Sequence, residues 1–378
     1  MGNGFDRFID RHNTNSIKWD FTREDELPMF IADMDFESAP AVKKRIEKRL
    51  QHPVYGYTKT PDELINSFIS WFKEEYDFEL EKEWVVPISG IVPALAVVSN
   101  LRGGSSITVT PNYHMLLDAP EKAGNKMIRV PLRNDNEYYT FDFDALSKAL
   151  LPDTKLFYLC NPQNPVGRIY THKELQEVSS FAKENDLVVI SDEIHCELVY
   201  DRKHIPFLTV DEYAKETSIS FYAPGKTYNI PGVSLAFAII PNEWIRKEFN
   251  RISYALGHPG VFNIEAGIAA YSESKEWRLE LIRYLKENRD YLEAELKRRF
   301  PEAHFTHTEA TYLQWVNFGE GIDGDYLRKN AKVWLTDGKD FGGEGYVRIN
   351  FGCPRGCITE ALDRIESALA TEKERKYG

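Results

Sequence analysis

Cysteine is scarce in this chain: four among 378 residues, at Cys160, Cys196, Cys353 and Cys357. Four are too few to staple a fold of this length, and none forms a C-x-x-C pair, which excludes a disulfide scaffold. Cys353 and Cys357 lie four apart and His304 and His307 three apart, but neither pair has companions. No metal site is expected, because ligands come in threes or fours. A reducing cytoplasm fits this cysteine usage. Long apolar runs are missing as well. No segment approaches the roughly 20 apolar residues that span a bilayer, and the opening MGNGFDRFIDRHNTNS has no apolar stretch for a secretory signal. Basic residues are the minority, 47 against 59 acidic ones, for a net charge of −12. Neither nucleic acid nor an anionic membrane is therefore expected as the main partner, although a local basic pocket for an anionic ligand remains compatible with this charge. No G-x-G-x-x-G follows the early strands, which excludes a Rossmann-type dehydrogenase.

What is present is alternation. Short apolar runs rich in Val, Ile and Phe recur at Trp84–Ile88, Ser106–Thr110, Leu156–Cys160, Leu187–Ser191, Ser218–Tyr222 and Val233–Ile240. They read as strands buried on both faces. Helix patterns lie between them: Gly90–Leu101 follows the first strand, and Thr171–Glu184 opens with Thr-His-Lys-Glu, a capping box. Such a chain folds as α/β, a mostly parallel sheet covered by helices. After about residue 265 the pattern changes to a long charged helix at Glu276–Arg299, strands at Tyr312–Phe318 and Tyr346–Phe351, and a last helix at Thr359–Ala370. The length exceeds what one core usually fills. The expected division is a large domain over 46–275 and a smaller α+β domain built from 1–45 and 276–378.

In parallel sheets, ligands bind beyond the carboxyl ends of the strands. Here those ends carry Ser89-Gly90-Ile91, Pro111-Asn112-Tyr113, Asn161-Pro162-Gln163-Asn164, Asp192-Glu193-Ile194-His195 and Ala223-Pro224-Gly225-Lys226. Singly they are ordinary: Asn-Pro makes turns, Asp caps helices, and a lone lysine is usually a surface cation. In this order they resemble the fold type I pyridoxal 5′-phosphate (PLP) enzymes, the aspartate-aminotransferase superfamily, over nearly the whole chain. CNPQNPVGR (160–168), SDEIH (191–195), APGKTYNIPG (223–232) and VRINFGCPR (347–355) carry the resemblance. KWDF (18–21), PMFIADMDF (28–36) and YGYT (55–58) bring it closer to the MalY/PatB-type cystathionine β-lyase and cysteine-S-conjugate β-lyase group.

The resemblance implies a PLP-dependent transferase-like fold and a role for each residue. Lys226 would hold PLP as a Schiff base and, once freed, act as general base. Asp192 would pair with the pyridine nitrogen, Asn164 would donate to the 3′-oxygen, and His195 would lie beside that oxygen. Tyr113 would stack on the ring. Gly90 and Ile91 would offer backbone N–H groups to the phosphate, and Tyr57 would reach the phosphate of the neighbouring subunit of a homodimer. Arg348 would clamp the α-carboxylate of a small amino-acid substrate. One departure stands out: the family commonly places a serine before the lysine, and here that residue is Gly225. The implied activity is carbon–sulfur β-elimination from L-cystathionine or a related cysteine conjugate. An aminotransferase uses the same three groups, Lys226, Asp192 and Arg348, and a binding or regulatory protein on this fold is the reading from another class.

Overall fold

The computed structural model describes residues 4–377; residues 1–3 and 378, at the ends of the expected smaller domain, lie outside the described residues. Seven strands form the central sheet: β1 (Val85–Ile88), β2 (Ser105–Thr110), β3 (Met127–Pro131), β4 (Thr154–Cys160), β5 (Val188–Asp192), β6 (Ser218–Tyr222) and β7 (Ala236–Ile239). Their order is β1-β7-β6-β5-β4-β2-β3. Pairing from β6 through β3 is parallel, and β7 runs antiparallel to both its neighbours. The expected strands are thus all present, within three residues at each end. They are buried because helices cover both faces, which is why they read as continuous apolar runs. β3 was not expected. Its MIRVP sequence is short, alternates with the exposed Arg129 and ends on a proline, all features of an edge strand. Pro87 is tolerated within β1 for the same reason, since β1 is the other edge.

Ile91–Val98 opens directly after β1, and His172–Glu184 carries the capping box, Thr171 and Glu174 each satisfying the other's backbone N–H. Beyond the sheet, Lys275–Arg299 runs 25 residues. It packs against a second, four-stranded sheet formed by His304–Phe305, Leu313–Asn317, Val347–Asn350 and Thr336–Asp337, in that order. The last helix begins at Arg355, one turn earlier than the sequence pattern indicates. A further apolar core joins Phe5, Met29, Met34 and Phe36 of the N-terminal stretch to Leu285, Val316, Ile349 and Leu362. The first residues therefore pack with the last, across nearly the whole chain length.

Candidate active site

The carboxyl ends of β1, β2, β4, β5 and β6 converge. A cavity of about 270 Å³ opens there, walled by Ser89, Gly90, Ile91, Tyr113, Lys226 and Ser234 among others. Gly90 adopts φ +109°, a region closed to most side chains, and an added Cβ would meet only Pro93 at 4.0 Å. Its conformation turns the chain into the Ile91–Val98 helix, so free N–H groups of a helix N-terminus face the cavity wall. Tyr113 is set by its neighbour: the Asn112 side chain donates to Thr108 (3.0 Å) and accepts from the Tyr113 N–H (2.8 Å).

Burial dominates the electrostatics. It lowers Lys226 to about 8, with the positive charge of Arg348 adding to the effect. It raises Asp192 to about 7, opposed by the Ile194 N–H that donates to it at 3.3 Å. It drives His195 well below its ordinary value, again reinforced by Lys226 and Arg348. Both ring nitrogens of His195 are buried without a hydrogen-bond partner, and its ring stands edge-on to Tyr312 at 6.1 Å. Tyr113 is pushed up to about 12, by burial first and Asp192 second.

Arg348, from Val347–Asn350, is buried above the aromatic face of Phe341, with 4.6 Å between guanidinium carbon and ring centre. It donates to Asn164 Oδ1 at 3.0 Å and to the Phe30 carbonyl at 3.0 Å, and its Nε is buried with no partner. Because Asn164 accepts from Arg348 through Oδ1, its Nδ2 hydrogens remain for another acceptor. Burial lowers Arg348 to about 10, so it stays cationic at neutral pH.

Strand geometry separates Asp192 from Glu193. Successive side chains alternate sides. Asp192 is within electrostatic reach of Lys226, while Glu193 takes a buried set of partners: His204 at 2.6 Å, the Tyr222 hydroxyl at 2.6 Å and Ser191 at 2.9 Å. Tyr57 is fully exposed and does not wall the cavity of its own chain. Gly225 is hemmed in: a Cβ there would lie 3.2 Å from the Pro231 Cα. Ser89 and Ser234 are hydroxyls that line the same cavity. Arg355 points elsewhere, to Asn288 and Glu287. The sequence marked Phe30–Met34 as part of a family-like motif but missed its role, in which the backbone carbonyls of Ala32 and Phe30 meet Lys226 and Arg348. No side-chain signal reports a carbonyl.

Residues 26–365 match the family described as aminotransferase class I and II, and the chain belongs to it. This is the fold type I, aspartate-aminotransferase superfamily. Among curated relatives, cystathionine β-lyase PatB of Bacillus subtilis is 35% identical, covering 97% of this chain and 100% of its own. Two solved structures superimpose closely. The PLP-bound C-S lyase of Staphylococcus hominis has a TM-score of 0.91 and 32% identity, covering 98% of each chain. Cystalysin of Treponema denticola, which contains PLP, has a TM-score of 0.93 and 30% identity, covering 98% of this chain and 100% of its own. The residues present fit such a cofactor. A buried imidazole with two unused nitrogens suits a polar ring substituent, and the open space at Gly90 beside a helix N-terminus suits a phosphate.

Proposed function

We propose that this chain is a PLP-dependent carbon–sulfur β-lyase, releasing a thiol, pyruvate and ammonia from L-cystathionine or a related S-substituted cysteine. The full-length similarity to a cystathionine β-lyase carries this reading, and the mutual electrostatic reach of the buried Lys226, Asp192, His195 and Arg348 supports it. When bound, PLP supplies an electron sink for negative charge at the substrate Cα. Lys226 would hold the cofactor through its amine and, when free, would take the proton from the substrate Cα. Its depressed pKa makes the neutral amine accessible near neutral pH. Asp192 would pair with the pyridine nitrogen, Asn164 and His195 would lie beside the ring oxygen, and Tyr113 would cover the ring face. Gly90 and Ile91 would hold the phosphate through backbone N–H groups, with Ser89 and Ser234 as the nearby hydroxyls in place of one at 225. Arg348 binds the α-carboxylate and, through Asn164, ties that carboxylate to the ring oxygen's donor.

The active unit is a homodimer, with Tyr57 entering the neighbouring site. Support comes from Val54, Tyr55 and Tyr57, which are all exposed on one short segment, more apolar surface than a solvated loop needs. Residues 46–275 act as the cofactor-binding domain, with 1–45 and 276–378 as the smaller one, in a cytoplasmic enzyme. The second reading, an aminotransferase, is favoured by the family's own description. The test is release of pyruvate and free thiol from L-cystathionine by PLP-loaded protein with no 2-oxo acid added. Repeated turnover supports the lyase; amino transfer seen only after a 2-oxo acid is supplied moves the reading to aminotransferase.

A further inference from the structure

The stretch from Phe30 to Met34 meets the site through its main chain, with the Asp33 carboxylate also within electrostatic reach of Lys226, and every carbonyl in it is taken. Phe30 accepts from Arg348 (3.0 Å) and Thr336 (2.6 Å). Ile31 and Asp33 both accept from the Asn350 amide, at 2.6 and 2.7 Å. Met34 accepts from Asn229 at 2.9 Å, three residues beyond Lys226. Ala32 accepts twice: from Lys226 Nζ at 2.7 Å and from the Tyr312 hydroxyl at 2.9 Å. Lys226 is therefore held by the main chain of a segment nearly 200 positions away, on a carbonyl that a second buried group also grips.

We propose that Ala32 is the acceptor that orients the free Lys226 amine, and that Tyr312 is the positioning residue that fixes this carbonyl. A lysine amine on its four-carbon stem rotates freely about its last bond; one N–H committed to a fixed acceptor sets the direction of its lone pair. That direction decides how well the amine meets the substrate Cα–H, where a small misplacement costs much of the rate. In the step concerned, the Cα–H bond breaks, the proton moves to Nζ, and the electron pair passes into the cofactor's conjugated ring. The proposal rests on Lys226 being the base of a PLP enzyme, and on nothing about what leaves from Cβ.

Tyr312→Phe deletes the hydroxyl and keeps the ring that packs near His195. The readout is exchange of the α-proton of L-alanine in D₂O, followed by NMR, because L-alanine has no leaving group and exchange is independent of elimination. Exchange should fall by roughly tenfold or more while the L-alanine Kd, from spectral titration, stays within about twofold. The apo variant should also bond the cofactor's aldehyde about fivefold more slowly, read from the growth of visible absorbance, since the same amine makes that attack. Exchange within twofold of the unaltered protein, a loss explained by weaker L-alanine binding, or an unchanged rate of cofactor capture each overturns the proposal. Thr336→Val, which removes one of the two donors on the Phe30 carbonyl and a 3.4 Å acceptor of Arg348, should lower exchange by a smaller factor with the L-alanine Kd within about twofold. Exchange equal to the unaltered protein, or a loss explained by weaker binding, counts against the proposal. If the unaltered, PLP-loaded protein exchanges nothing, the enzyme reading itself fails, which is a different result from an active protein indifferent to Tyr312.

Discussion

At the scale of the residue, three expectations follow from Lys226, Asp192 and Gly225. The Lys226 amine, held near 8 by burial and by Arg348, should capture PLP at a rate that rises with pH and levels off above about 8, where a free lysine would still be climbing. A midpoint near 10, in stopped-flow absorbance of the apo protein, would contradict the burial seen here. Lys226→Ala should lower turnover by at least about 10²–10⁴-fold. Asp192 is raised from 3.8 to about 7 by burial. A raised carboxyl favours the fold while protonated, so its contribution is full below pH 4 and is lost as pH climbs through 7. Its share of the apo protein's stability should grow on acidification from pH 8 to 6, while the lowered His195 and Lys226 act in the opposite sense. The change from pH 8 to 6 should therefore be less favourable in Asp192→Asn than in the unaltered protein. Calorimetry at the two pH values decides it. Gly225→Ser would seem to restore a missing hydroxyl, yet its Cβ meets Pro231 at 3.2 Å. The substitution should weaken PLP binding or leave it unchanged; a tighter Kd would mean that the 225–231 turn yields easily.

At the scale of the element, Arg278 deserves the first mutation. It lies near the start of the Lys275–Arg299 helix and is buried between Glu197 (3.0 Å) and Glu75. Glu197 also accepts from the Tyr228 hydroxyl at 3.1 Å, two residues past Lys226. Arg278→Met strands two carboxylates and should cost about 3–5 kcal/mol, visible as a lower denaturation midpoint. Elements are also where legibility in the sequence changes. Periodicity and caps revealed six of the seven strands and the Thr171 capping box, because buried parallel strands and helix starts leave a local signature. The edge strand Met127–Pro131 leaves almost none. Strand ends pointed to Lys226, Asp192, Asn164 and Tyr113, since a polar residue after an apolar run is a local event. Ala32 and Tyr312 escaped because their partnership joins positions 280 apart through a carbonyl, which any residue carries.

At the scale of the whole molecule, the proposed sharing of Tyr57 has a consequence that bulk activity tests directly. Lys226→Ala and Tyr57→Phe subunits, each impaired alone, should regain activity when refolded or co-expressed together, since a mixed dimer would hold one intact site. Absence of recovery, with mixed dimers proved by mass spectrometry, would place Tyr57 outside the neighbour's site.

The partners of Arg348 bear on which ligands the site would admit. Its two terminal nitrogens rest on the Asn164 amide oxygen, the Phe30 carbonyl and, at 3.4 Å, the Thr336 hydroxyl, all neutral, and its Nε lacks a partner among the described residues. A guanidinium buried among neutral acceptors has no anion bonded to it, so an arriving carboxylate would gain a new ion pair together with the vacant Nε–H. Selection at such a site would rest on charge: an amino acid whose carboxylate is masked as an ester or amide would bring no anion to the buried guanidinium and should bind far more weakly than the free acid.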